Sequence, residues 1–147
     1  MTEPLQLRAE DAGDIAVISA CLQDALIELV DMCWLEDERR FVLVASRFAW
    51  ERPRVRKGKR FHYERVHCGV AFEEVTRVRM RGINRPADGG RALALLAVSA
   101  EDGGIHLLLA GGAEVRIEMA AINCRLKDVG EPWPVIDRPR HPVEEER

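Results

Sequence analysis

The side chains with the clearest chemical use are cationic. Arg52, Arg54, Arg56, Lys57, Lys59 and Arg60 fall within nine residues, and Phe61, His62, Tyr63 and Arg65 follow directly. Such a run can meet phosphates through charge and stack aromatic rings on bases. Arg77, Arg79 and Arg81 recur at every second position. On a strand they share one face at about 6.5–7 Å spacing, close to that of nucleic-acid phosphates. These nine residues are the candidate anion or nucleic-acid contacts. The opposing reading is a solvated loop beside strand arginines that pair with the acidic N-terminal segment.

Other chemistry is sparse. The chain has no G-x-G-x-x-G, P-loop, G-x-S-x-G or H-E-x-x-H pattern. Ser19, Ser46 and Ser99 sit within expected elements, not on an exposed sharp turn. The histidines are His62, His67, His106 and His141. His67 adjoins Cys68, but neighbours on a strand point to opposite faces, so the two form no direct nucleophile–base pair. Cys21, Cys33, Cys68 and Cys124 are far apart, lack a C-x-x-C pair and lie in apolar segments. They read as buried, reduced thiols and not as zinc ligands. No catalytic residue, metal or cofactor is expected.

The charge is strongly partitioned. Residues 1–38 carry a net −9, residues 39–91 a net +10 and residues 92–147 a net −4, so the overall −3 hides a basic middle. Apolar residues make up 47% and charged residues 32% of 147, an ordinary balance for one globular domain with a real core. The longest apolar run, Ala92 to Val98, is too short for a membrane span. The start, Met1-Thr2-Glu3-Pro4, lacks signal-peptide character. A cytoplasmic protein is expected.

The elements that must position these residues follow from periodicity. Asp11 to Leu22 reads as a helix with Ile15, Ile18 and Leu22 on one stripe and Asp11 as N-cap. Residues 25–35 and 40–50 read as a hairpin turned by Glu36 to Arg39, with Trp50 buried at its end. Residues 51–60 are a loop. Residues 61–72 form a strand with Val66, Cys68, Val70 and Phe72 on one face. Residues 75–82 form another, with Val78 and Met80 facing inward. A loop at 84–90 precedes strands at 91–100, 105–110 and 114–119, punctuated by Asp102-Gly103-Gly104 and Gly111-Gly112. Met119, Ile122, Leu126 and Val129 then fall at helical spacing with Gly130 as a stop, while Ile122, Cys124 and Leu126 also alternate as in a strand. Helix is narrowly preferred for 120–129. A weak repeat at an offset of 39 residues aligns His67 with His106 and Arg77 with Arg116, which would make the two histidines equivalent and bring them close together.

Five stretches carry a family resemblance. They are Leu22-Gln23-Asp24-Ala25, Trp34-Leu35 through Arg40-Phe41, Arg47-Phe48-Ala49-Trp50-Glu51, Val70-Ala71-Phe72-Glu73-Glu74-Val75 and Leu126-Lys127-Asp128-Val129-Gly130. The chain resembles a small family of uncharacterised alphaproteobacterial proteins, known as a domain of unknown function. None of the stretches is a catalytic motif, so the resemblance implies no activity and no site residue.

The fold class expected is α+β. Residues 1–130 form a single domain, and 131–147 a Pro/Glu-rich tail that Trp133 pins. About seven mainly antiparallel strands would curl into a barrel or sandwich, with a helix near the N-terminus and one at the C-terminal end, resembling pleckstrin-homology-like domains in architecture alone. The function expected first is a non-catalytic binding or accessory module that acts through contacts with a protein partner. Nucleic-acid or ribonucleoprotein binding through the basic loop comes next, then a small enzyme with an unrecognised site. No membrane contact is expected, and the oligomeric state stays open.

Overall fold

A computed structural model describes residues 4–51, 55–57, 60–83 and 91–135, with only the backbone described at 55–57, 60 and 61. The chain order is β1 Gln6–Ala9, α1 Ala12–Cys21, β2 Leu26–Leu35, β3 Arg40–Phe48, β4 Val55–Lys57, β5 Arg60–Phe72, β6 Val75–Arg81, β7 Ala92–Glu101, β8 Gly104–Leu109, β9 Glu114–Met119 and β10 Cys124–Val135. Every pairing among them is antiparallel.

The strands make one open sheet in the order β1-β10-β5-β3-β2-β7-β8-β9-β6, with β4 attached to β5 as a hairpin. Seven strands, β2, β3, β5, β6, β7, β8 and β9, are those the alternation predicts. The sheet does not close into a barrel. It curls far enough for β6 to begin beside β3, where the Val75 N–H donates to the Arg39 carbonyl at 2.8 Å. That curl lets one hydrophobic cluster serve the whole sheet, from Ala9 and Leu126 at one end to Val75 and Met119 at the other.

The single helix among the described residues forms as its sequence dictates. Asp11 accepts from the Asp14 N–H at 2.8 Å, and Asp14 accepts from the Glu10 N–H at 3.0 Å, so two carboxylates satisfy backbone donors at the start of the helix. Ile15, Ile18 and Leu22 are buried against the sheet. Ser19 accepts the Val98 N–H at 2.9 Å, which fixes the helix on β7 just past the irregularity between Leu95 and Ala97. Close packing of backbones also sets Gly104. A Cβ there would lie 1.9 Å from the Ile117 carbonyl oxygen.

Several expectations are corrected. Residues 124–129 are strand and not helix. Cys124, Leu126 and Asp128 point inward and pair with Phe72, Val70 and Cys68 of β5, because β5 needs a partner on that side and the alternation supplies one. The strand runs on to Val135. No C-terminal helix caps the sheet among the described residues, and the pleckstrin-homology-like analogy, which needs a closed barrel, does not fit the open sheet. The expected loop contains β4, whose Val55, Arg56 and Lys57 pair with His62, Phe61 and Arg60. Finally, Trp50 is 43% exposed and Cys33 is exposed. Met32 faces the core, so alternation turns Cys33 outward.

Candidate functional site

Register places the most unusual surface on the outer face of β10, β5, β3 and β2. Directly opposed residues of antiparallel strands share a face. Val129, His67, Ser46, Leu26 and Ala94 form one outward row across five strands. The adjacent row, Asp128, Cys68, Ala45, Ile27 and Leu93, faces inward and is buried.

Two irregularities flank the outward row. Pairing of β2 with β3 stops after Ile27–Ala45 and resumes at Met32–Leu43, leaving Glu28 to Asp31 bulged. Pairing of β10 with β5 stops after Val129–His67 and resumes at Trp133–Arg65, leaving Gly130 to Pro132 bulged. Gly130 takes a φ of 76°, open to glycine at little cost. Bulges bend a strand and re-aim its side chains. Between them lies a groove of about 460 Å³.

The groove has an apolar floor, an aromatic wall and an acidic rim. Leu26, Val44 and Val129 are 41%, 40% and 44% exposed there. The His67 and Trp133 rings meet at 4.6 Å between centroids, tilted by 47°. Glu28 and Asp31 line the β2 side, and neither has an ion-pair partner among the described residues. Next to this wall, Arg65 lies 4.2 Å over the Phe48 ring and donates to the Ser46 carbonyl at 2.7 Å. Burial lowers the Arg65 pKa, with Asp24 opposing that shift.

The support beneath is a buried ion pair. Arg47 is fully buried and forks onto Asp128, Nε to Oδ1 at 2.9 Å and Nη2 to Oδ2 at 2.8 Å. It also holds Glu51 at 2.7 and 3.0 Å. These bonds push the guanidinium pKa up against the cost of burial. Asp128 further accepts the Leu5 N–H at 3.0 Å. One side chain thus clamps β3, β10 and the segment before β1 directly behind the groove.

The sequence-predicted cations are placed differently. Arg52, Arg54 and Lys59 lie outside the described residues, and Arg56, Lys57 and Arg60 are described in backbone alone. Arg77, Arg79 and Arg81 do share the outward face of β6, but their partners are on β9 and not in the acidic N-terminal segment. Arg79 meets Glu118 at 2.9 Å and Arg81 meets Glu114 at 3.7 Å; Arg77 stands opposite Glu118. His106 holds Glu114 at 2.8 Å, and this bond is the main cause of the lowered Glu114 pKa. Arg116 meets Glu101 at 2.7 Å. The repeat does not bring His67 and His106 together, because β3, β2 and β7 lie between their strands.

The thiols are unpaired. Cys68 and Cys124 are buried, and burial raises each pKa to about 12. Cys21 is partly buried and its pKa is raised for the same reason. Among the described residues no group of three or more His, Cys, Asp and Glu could hold a metal ion. No helix among them is long and apolar enough to cross a membrane.

Sequence reading missed Glu28, Asp31 and the pairing of His67 with Trp133. A signal for the first two was present. Inward positions run Ile27, Leu29 and then Met32, a parity slip that marks a bulge. Comparison with curated proteins and with solved structures gives no significant match. A family model described as a protein of unknown function, DUF2948, matches residues 5–141. That span includes every strand and the whole groove, so the chain belongs to the DUF2948 family.

Proposed function

We propose that this chain is a non-catalytic binding module that acts through protein contacts, and that the groove over β10, β5, β3 and β2 is its contact surface. The observation that carries the reading is the coincidence of both bulges with an exposed apolar floor. Leu26, Val44 and Val129, on β2, β3 and β10, all line it where a solvated sheet face usually alternates to polar residues. A groove of this size takes a few side chains of an extended segment. Nucleic-acid binding has less support, because Arg79 and Arg81 are already opposed by carboxylates of β9.

Selection from a displayed library of random peptides on the immobilised full chain tests the reading. Val44→Lys puts a charge on the floor at a half-exposed position, so the fold should survive. Enriched peptides should bind wild type and lose about tenfold or more on Val44→Lys, equivalent to about 1.4 kcal/mol. Failure to enrich any peptide, or peptides indifferent to Val44→Lys, would contradict it.

A further inference from the structure

The groove also says what kind of side chain it would accept. It holds two carboxylates, Glu28 and Asp31, on its β2 rim and an aromatic corner, Trp133 with His67, on its β10 side. Neither carboxylate is answered by a cation among the described residues. Three other carboxylates of the sheet are answered. Glu73 has Arg40 at 3.0 Å and Arg125 at 3.2 Å, Glu118 has Arg79 and Glu101 has Arg116. Glu28 and Asp31 thus set unanswered negative charge where the face is hollow and aromatic.

From this the geometry points to a basic peptide segment of a partner protein as the occupant, with an arginine or lysine side chain seated between the Glu28 and Asp31 carboxylates and the Trp133–His67 corner. This rests on the groove being a protein-contact surface. A guanidinium or ammonium is attracted to the face of an indole by the ring quadrupole and gains further when partly desolvated. Its alkyl stem covers apolar floor while its head stays near charge and water. Leu26 and Val129 provide that floor between the two sides. Arginine fits best, because a planar guanidinium can lie on the ring and still fork onto a carboxylate.

The neighbouring surface favours an extended segment over a free small cation. A second hollow of about 530 Å³ lies over Gly69 and Ala71 and is rimmed by Arg8, Arg125 and Lys127. Register joins the two hollows, since Lys127, Gly69 and Val44 lie opposite one another. The face therefore changes from negative to positive along its length. A peptide that carries a basic residue over the groove and an acidic or neutral residue beyond it matches that polarity. A wholly basic segment would run into Lys127.

The test uses two pools of blocked, fluorescently labelled octapeptides, randomised over uncharged residues and carrying either arginine or its neutral isostere citrulline at one fixed position. Anisotropy titrations against the full chain should show the arginine pool binding about tenfold tighter. Glu28→Gln with Asp31→Asn should erase that preference, as should raised salt, while Lys127→Gln should preserve it. Both carboxylates are exposed, so the double variant should melt as wild type does. Free methylguanidinium should compete only weakly. Equal binding of the two pools, both weakened by Val44→Lys, would overturn the cation assignment and leave the groove reading standing. Binding by neither pool would bring down both. A preference that survives the double variant would place the cation elsewhere, and competition by methylguanidinium as strong as by peptide would overturn the peptide assignment.

Discussion

Asp128 and Arg47 meet by two parallel hydrogen bonds of 2.9 and 2.8 Å on the inner face of the sheet, directly behind the row that forms the groove floor. The strand positions on either side of Asp128 turn outward, Lys127 toward the basic hollow and Val129 toward the groove. The pair therefore sets the height and twist at which β10 lies on the sheet. It has a cost, since two charges leave water, and forked geometry with additional partners is what offsets it.

Arg47→Ala should destabilise the fold by about 3–5 kcal/mol, because it leaves the Asp128 carboxylate buried without its counter-charge. Arg47→Lys should lose less, keeping the charge but not the fork. Urea denaturation measures both. A loss under about 1 kcal/mol for Arg47→Ala would mean that the pair is not buried as described.

Trp50→Ala should cost only about 0.5–1.5 kcal/mol, since the ring is 43% exposed and its described aromatic contact is Phe48 at 5.2 Å. The sequence, read as a buried strand end, predicts about 3–5 kcal/mol for the same change. Chemical denaturation of one variant separates the two values.

The buried thiols should make stability fall in alkali. Burial raises the folded-state pKa of Cys68 and Cys124 from 9.0 to about 12. A raised thiol pKa favours the protonated form in the fold, so the contribution is full below 9 and is lost as pH rises between 9 and 12. One pH unit above the unfolded value, each thiol should cost about 1.4 kcal/mol. Denaturation at pH 8 and 10 should show this, and Cys124→Ala should flatten the slope despite its own cavity cost. A thiol reagent should label Cys33 first and Cys68 and Cys124 only on unfolding. Rapid native labelling of all four would contradict the burial.

Much of the fold was legible because alternation is a local property. Val66, Cys68, Val70 and Phe72 face the core as their spacing predicts, and Ile15, Ile18 and Leu22 do so at helical spacing. The strand at 124–135 was not, since Met119, Ile122, Leu126 and Val129 also fit a helix and only the open side of β5 decides between them. The groove was legible even less. His67 and Trp133 are far apart in sequence, and their contact needs a break in pairing that Gly130-Glu131-Pro132 announces only once the strand itself is known. Arg47 and Asp128 occupy inward positions of their strands, but their pairing was not legible while 120–129 also fitted a helix.

The most direct measurement is an amide chemical-shift titration of the isotopically labelled full chain with the tightest peptide from the display selection. Shifts should concentrate at Leu26 to Asp31, Val44 to Ser46, His67 and Val129 to Trp133, and should vanish in Val44→Lys at the same peptide concentration. Shifts confined to Arg77 to Arg81 and their β9 partners, or spread evenly over the sheet, would contradict the groove as the contact surface.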